Sequence, residues 1–194
     1  MNRTIKSFAC VILMLIANSS LASTKDVEQF INTVAQNVIK TVTNKATSEQ
    51  QKKAEIKSII ATNFDTDWMS NFVLGRNYKA LSAEQQQTYK KLYLNYLVGN
   101  YFPILMKYDN DKFTINQINK ASNTNYNVDT TIQRLNKPSV SIKYYIKETD
   151  SSLKALDMIV EGISTIISQR SEFDSIIQQD GLDGFMQKMI KKYS

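Results

Sequence analysis

The side chains of this sequence that could do chemistry are few. Asp65 and Asp67 stand two residues apart and would suit a general acid and base. Asp65 is equally placed to cap a helix, which explains it without catalysis. Asp109-Asn110-Asp111 is the closest approach to a calcium loop, but no Glu follows at the distance such a loop needs. The 194 residues contain no histidine and a single cysteine, Cys10. Without histidine, the commonest general base and metal ligand is gone. Without a second cysteine there is no sulfur-bound zinc. Gly75, Gly99, Gly162, Gly181 and Gly184 build neither a P-loop nor a dinucleotide fingerprint. Ser-His-Asp and Cys-His hydrolases and histidine-ligated metals are excluded, and no cofactor is implied. The residues point to a binding protein before an enzyme.

Residues 1–22 read as a secretory signal peptide. Arg3 and Lys6 make a basic start, residues 8–17 an apolar core, and Ser20-Leu21-Ala22 a small-x-Ala cleavage site. The apolar run is too short for a stable membrane span. Cys10 lies inside it and not at the cleavage site, which argues against a lipoprotein anchor. Processing before Ser23 would leave an exported 23–194 domain without cysteine or histidine, dependent on hydrophobic burial alone. The chain carries +6, which falls to +4 once Arg3 and Lys6 are removed. The paired lysines Lys52-Lys53, Lys90-Lys91 and Lys191-Lys192 are scattered among acids, unlike the concentrated basic face of a nucleic-acid binder.

Periodicity supplies the elements that position these residues. Val27, Phe30, Ile31, Val34, Val38 and Val42 recur at helical spacing, with Asp26 as the expected cap. A second helix is expected over 50–63, with Ile56, Ile59 and Ile60 inward. A third, capped by Asp65 and ended by Gly75, carries Trp68, Met69, Phe72 and Val73. Ser82 with Gln85 three residues on is a capping box, opening a long helix through Tyr89, Tyr93, Tyr96 and Leu97. Pro103 is expected to kink that helix or end it just before. Alternating runs over 113–118, 128–132, 140–146 and 153–161, joined by short polar turns, predict an antiparallel meander. Gly162 breaks the last strand, a helix over 164–179 follows, and Gly181 separates it from a final one with Phe185, Met189 and Ile190 inward. The sum is an α+β domain.

Three blocks then occur in order. The first is Phe64-Asp65-x-Asp67-Trp68-Met69 with Val73-Leu74-Gly75-Arg76-Asn77-Tyr78. The second is Leu81-Ser82-Ala83-Glu84-Gln85-Gln86-Gln87, leading to Leu97 and Tyr101. The third runs from Leu156-Asp157-Met158 through Glu161-Gly162-Ile163-Ser164 to Gln169-Arg170-Ser171-Glu172-Phe173 and Gly181-Leu182-Asp183-Gly184-Phe185. In this order and spacing the chain resembles the MlaC family, also called the toluene-tolerance auxiliary family, over most of residues 23–194. It departs where many members have Gly-Trp and this chain has Ser152-Leu153, and where Gln169 replaces the usual aromatic before Arg170.

The resemblance implies a soluble, monomeric, periplasmic phospholipid carrier of Gram-negative bacteria. Its partners would be an outer-membrane lipoprotein complex and the lipid-binding subunit of an inner-membrane ABC transporter, and its task would be to maintain outer-membrane lipid asymmetry. The implied fold is α+β: a curved antiparallel or mixed sheet of about four strands, flanked by helices that enclose an apolar lipid cavity. Exposing a two-tailed lipid's roughly 30 methylenes to water costs about 24 kcal/mol, so a carrier needs a dry slot and no reactive groups. Candidate lipid contacts are Trp68, Phe72, Leu97, Tyr101, Phe102 and Leu105 on the helices, with Tyr144, Ile146, Met158 and Val160 on the sheet. Each of them would serve equally as ordinary core. Arg76 could pair with a lipid phosphate. The reading that fits an apolar motif better is that it bonds a buried carboxylate or backbone carbonyl. Two alternatives stand beside the carrier: an NTF2-like α+β enzyme using Tyr and Asp in a closed pocket, and a periplasmic adaptor that binds no lipid.

Overall fold

The computed structural model describes residues 22–150 and 152–194, so most of the signal-peptide assignment, residues 1–21, lies outside the described residues. Five α-helices and one five-stranded sheet follow in the order α1 (Thr24–Thr43), α2 (Glu49–Asn63), α3 (Thr66–Leu74), α4 (Ala83–Leu105), β1 (Lys112–Lys120), β2 (Asn125–Gln133), β3 (Val140–Glu148), β4 (Leu153–Val160), β5 (Ile163–Ser164) and α5 (Thr165–Tyr193). The strands pair antiparallel with their neighbours in sequence, giving the expected meander. The fifth strand is an addition to the sequence reading. Glu161 (φ 50°) and Gly162 (φ 82°) form a two-residue turn that folds Ile163 and Ser164 back onto β4.

Local chemistry sets the helix starts. Ser48 and Ser82 cap α2 and α4 through capping boxes with Gln51 and Gln85. Asp65 caps α3, accepting from the Trp68 N–H at 3.0 Å. For α1 the cap is Ser23, not Asp26: Asp26 stands three residues into the box and accepts from the Ser23 N–H at 2.7 Å. α4 does not stop before Pro103 but runs on to Leu105. The proline falls in the last turn, and the bond it forgoes would reach only the carbonyl of exposed Gly99. Gly181 (φ 71°) kinks α5 as expected. Beyond the kink Phe185, Met186 and Met189 are buried, while Ile190 is 45% exposed and not inward, because it falls at the edge of the buried face.

Two apolar clusters hold the elements together. One joins α2, α3, α4 and α5 through Ile56, Met69, Leu74, Tyr89, Tyr93, Leu97, Phe173 and Phe185. Phe173 meets Tyr96 and Phe185 with ring centroids 5.0 and 4.9 Å apart. Buried rings of this kind stabilise by about 1.5–3 kcal/mol each through area alone. The other cluster sets Val27 and Ile31 of α1 against Tyr126, Val128, Ile146 and Ala155 of the sheet. α1 therefore covers one sheet face. The opposite face meets α3 and α5 along β4.

Burial raises the phenol pKa of Tyr89, Tyr93, Tyr96 and Tyr101, and pushes Tyr144 up to about 12 from the ordinary 10.0. A raised folded-state pKa means stability that is complete below the unfolded value and lost as pH rises past it. Stability is thus expected to hold to about pH 10 and to fall steeply beyond it. Urea titrations at pH 9 and pH 11, with phenolate absorbance recorded alongside, check this. An unchanged midpoint at pH 11 would contradict it.

Candidate functional site

A β-bulge in β4 builds the site. Tyr145 pairs with Asp157 and Ile146 with Ala155, which leaves Leu156 as the extra residue. Period-two alternation puts Asn125, Asn127, Tyr145 and Asp157 on the face away from α1. At its outer edge β4 receives the α2–α3 joint: the Asp65 N–H donates to the Ala155 carbonyl at 3.0 Å, and Phe64 bridges to Ala155. That joint sets α3 beside the strand. The sharp β4–β5 turn then returns the chain so that α5 starts next to it.

Between these walls lies a groove of about 350 Å³, with Trp68 and Phe72 from α3, Leu156 at the bulge, and Ile166 and Ile167 from α5. Trp68 and Phe72 stack at 5.2 Å with their planes 19° apart. Trp68, Tyr145 and Ile167 are exposed large hydrophobics, so the groove opens to solvent over apolar side chains. At its Asp157 end the polar groups are committed to structure. The buried Asp157 carboxylate accepts from Ser164 Oγ at 2.6 Å, Thr165 Oγ1 at 2.9 Å and the Ile166 N–H at 3.2 Å, tying the start of α5 to β4. The volume suits a ligand and the lining is apolar.

The sequence candidates divide among several places. Trp68 and Phe72 come together at the groove; Ile146 borders it too, but it is buried in the cluster that packs against α1. Leu97 and Phe102 are buried inside the helical cluster, with Leu105 packed against it. Tyr101 is partly buried and its hydroxyl accepts from Gln169 Nε2 at 3.3 Å. Tyr144, Met158 and Val160 share the register of Val128 and Ile142, on the α1 side of the sheet. Arg76 is exposed and, among the described residues, forms no hydrogen bond or ion pair, so the expected buried partner is absent. Asp67 pairs with Lys90 at 2.9 Å and Asp65 caps α3, which gives both aspartates structural duties.

Two residues of the third block prove more informative than the sequence reading made them. Gln169, in place of an aromatic, is buried. It accepts from the Tyr93 hydroxyl at 2.7 Å and links Tyr93 to Tyr101. Arg170 crosses from α5 to α3, which nothing in its local sequence marks. Its Nη1 donates to the Phe72 carbonyl at 3.3 Å, and a Cβ on Gly75 would come within 2.8 Å of Nη2. A second concavity, of about 460 Å³, lies between α4 and α5, with Phe173, Phe185 and Met189 as its floor and Lys188, Lys191 and Lys192 at its rim.

The fold and groove define an α+β protein with an apolar groove walled by helices and a meander sheet. The family assignment is correspondingly direct: residues 32–191 match the MlaC protein family, and the chain belongs to it. It is 24% identical over 127 residues to the intermembrane phospholipid transport system binding protein MlaC of Haemophilus influenzae. That alignment takes in 63% of this chain and 59% of the relative, so the chain spans under two thirds of that protein's length. The fold is also that of a phospholipid-binding protein from Ralstonia solanacearum solved in complex with a phospholipid, at TM-score 0.76 and 19% identity, covering 86% of this chain and 96% of the other. No described helix is long and apolar enough to cross a membrane.

Proposed function

We propose that this protein is a periplasmic phospholipid carrier that takes acyl chains into the groove between α3, α5 and β4. It would shuttle lipid between an outer-membrane lipoprotein complex and the lipid-binding subunit of an inner-membrane ABC transporter, and so sustain outer-membrane lipid asymmetry. The observation that carries this reading is the groove itself: ligand-sized, apolar, open over Trp68 and Ile167, with its one carboxylate engaged in holding α5. Such a slot shields methylenes from water at about 0.8 kcal/mol each and offers nothing to cleave them. The names of the Haemophilus and Ralstonia proteins support the same ligand. The 1–22 signal peptide would deliver the chain to the periplasm, where the 23–194 domain acts as a monomer and not as an enzyme.

Native mass spectrometry of the 23–194 protein, purified without detergent, tests this. A bound mass equal to one two-tailed phospholipid is the expected result. A mass that stays bare after incubation with phospholipid vesicles would favour an adaptor that binds no lipid.

A further inference from the structure

A cation stands at the edge of the groove. Arg170 lies one helical turn beyond Ile166 and Ile167, which line it, and therefore on the same side of α5. Its guanidinium carbon sits 5.3 Å from the centre of the Phe72 ring. Phe72 stacks in turn on Trp68, so indole, phenyl and guanidinium form one continuous row along the groove wall. Gly75 allows this approach, since a side chain there would meet Nη2. The arrangement holds the arginine in place without satisfying it. Of its five N–H donors, only one on Nη1 reaches an acceptor among the described residues. The nearest carboxylate, Asp174, is 4.0 Å away and one turn along the same helix, with both side chains over 40% exposed. Such a pair contributes little. A fixed, half-exposed guanidinium with free donors matches the geometry of a phosphate.

We propose that Arg170 is the anion-binding arm of the groove, taking the phosphate of an amphiphile whose chain lies against Trp68 and Phe72. This rests on the groove being the site of the acyl chain. It assigns to Arg170, which lies on the Phe72 ring, the role that sequence alone offered to Arg76, an exposed residue with no hydrogen bond or ion pair among the described residues.

Trp68 is the only tryptophan in the chain and lines the groove, so its emission reports occupancy. Titrations with a monoacylglycerol and with its phosphate ester, of equal chain length, separate the two parts of the claim. The unmodified protein is expected to bind the phosphate ester about tenfold or more tightly than the alcohol, the range of a charge-assisted bond. In Arg170→Met this preference is expected to shrink to about twofold or less, with alcohol binding kept; Arg170→Lys, which retains charge but not the fork, should fall between. A preference that survives in Arg170→Met, or that vanishes in Arg76→Met instead, overturns the proposal and leaves the groove reading intact. If neither amphiphile changes Trp68 emission in the unmodified protein, the groove reading fails and takes this inference with it.

Discussion

Replacing Ile167 with aspartate is expected to empty the groove without unfolding the protein. Ile167 is 58% exposed, so the fold owes it little, yet its side chain faces the groove beside Ile166. A carboxylate there would stay hydrated in the free protein and would have to shed water to meet an acyl chain. Burying that charge costs several kcal/mol, and pairing with Arg170, one turn on along α5, offsets only part of this. Each 1.4 kcal/mol is a factor of ten in affinity, so lipid retention should fall by about a hundredfold or more. The bound lipid mass is therefore expected to vanish from the native spectrum of Ile167→Asp while the thermal midpoint stays within a few degrees. Val160→Arg is the informative companion, because Val160 lies on the α1 side of the sheet. If Val160→Arg empties the folded protein and Ile167→Asp does not, the acyl chains run along the other face. The Tyr144, Met158 and Val160 strip would then be their seat.

Asp157→Ala is expected to produce the largest loss of stability of any single substitution near the groove. The carboxylate is 5% exposed and is the shared acceptor of two hydroxyls and a backbone N–H. Removing it leaves the Thr165 hydroxyl and the Ile166 N–H without their acceptor. It also withdraws a negative charge from the positive end of α5. Each stranded buried group costs about 1–3 kcal/mol, so a total of about 3 kcal/mol or more is expected. Asp157→Asn keeps the shape and one acceptor oxygen and should lose roughly half as much. Urea denaturation of the three proteins measures both. A change under about 0.5 kcal/mol in Asp157→Ala would show that α5 is held to the sheet by its apolar contacts alone. Because α5 is one wall of the groove, any lipid retention should fall in parallel with stability in this variant. In Ile167→Asp it should fall without such a change.

Much of this architecture is legible from local pattern. Ser82 and Asp65 announce their helices because a capping side chain bonds within three residues of itself. The alternation in β2 and β3 shows because neighbouring side chains on a strand point to opposite faces. Where two local readings competed, the pattern misled. Asp26 looks like a cap until Ser23 is seen to complete the box, and Pro103 looks like a stop until its place in the final turn is known. The two-residue β5 has too little sequence for periodicity to register.

The candidate site was only partly legible, for a related reason. Trp68, Phe72, Leu97 and Phe102 are the same kinds of residue at the same helical spacing, yet the first two line a groove and the last two fill a core. Spacing determines which face of a helix a side chain occupies; what covers that face depends on another element far along the chain. The bulge at Leu156 and the return of α5 beside β4 made the groove, and both depend on strand pairing. Arg170 and Arg76 likewise differ little as sequence. Only the packing of α5 against α3 decided which one lies on Phe72 under Gly75. Local pattern was enough for the helices and the meander, and composition for the absence of histidine and thiol chemistry from residues 23–194. The tertiary structure alone decided which apolar residues remain open to a ligand, because exposure is a property of contacts between distant segments and not of any one of them.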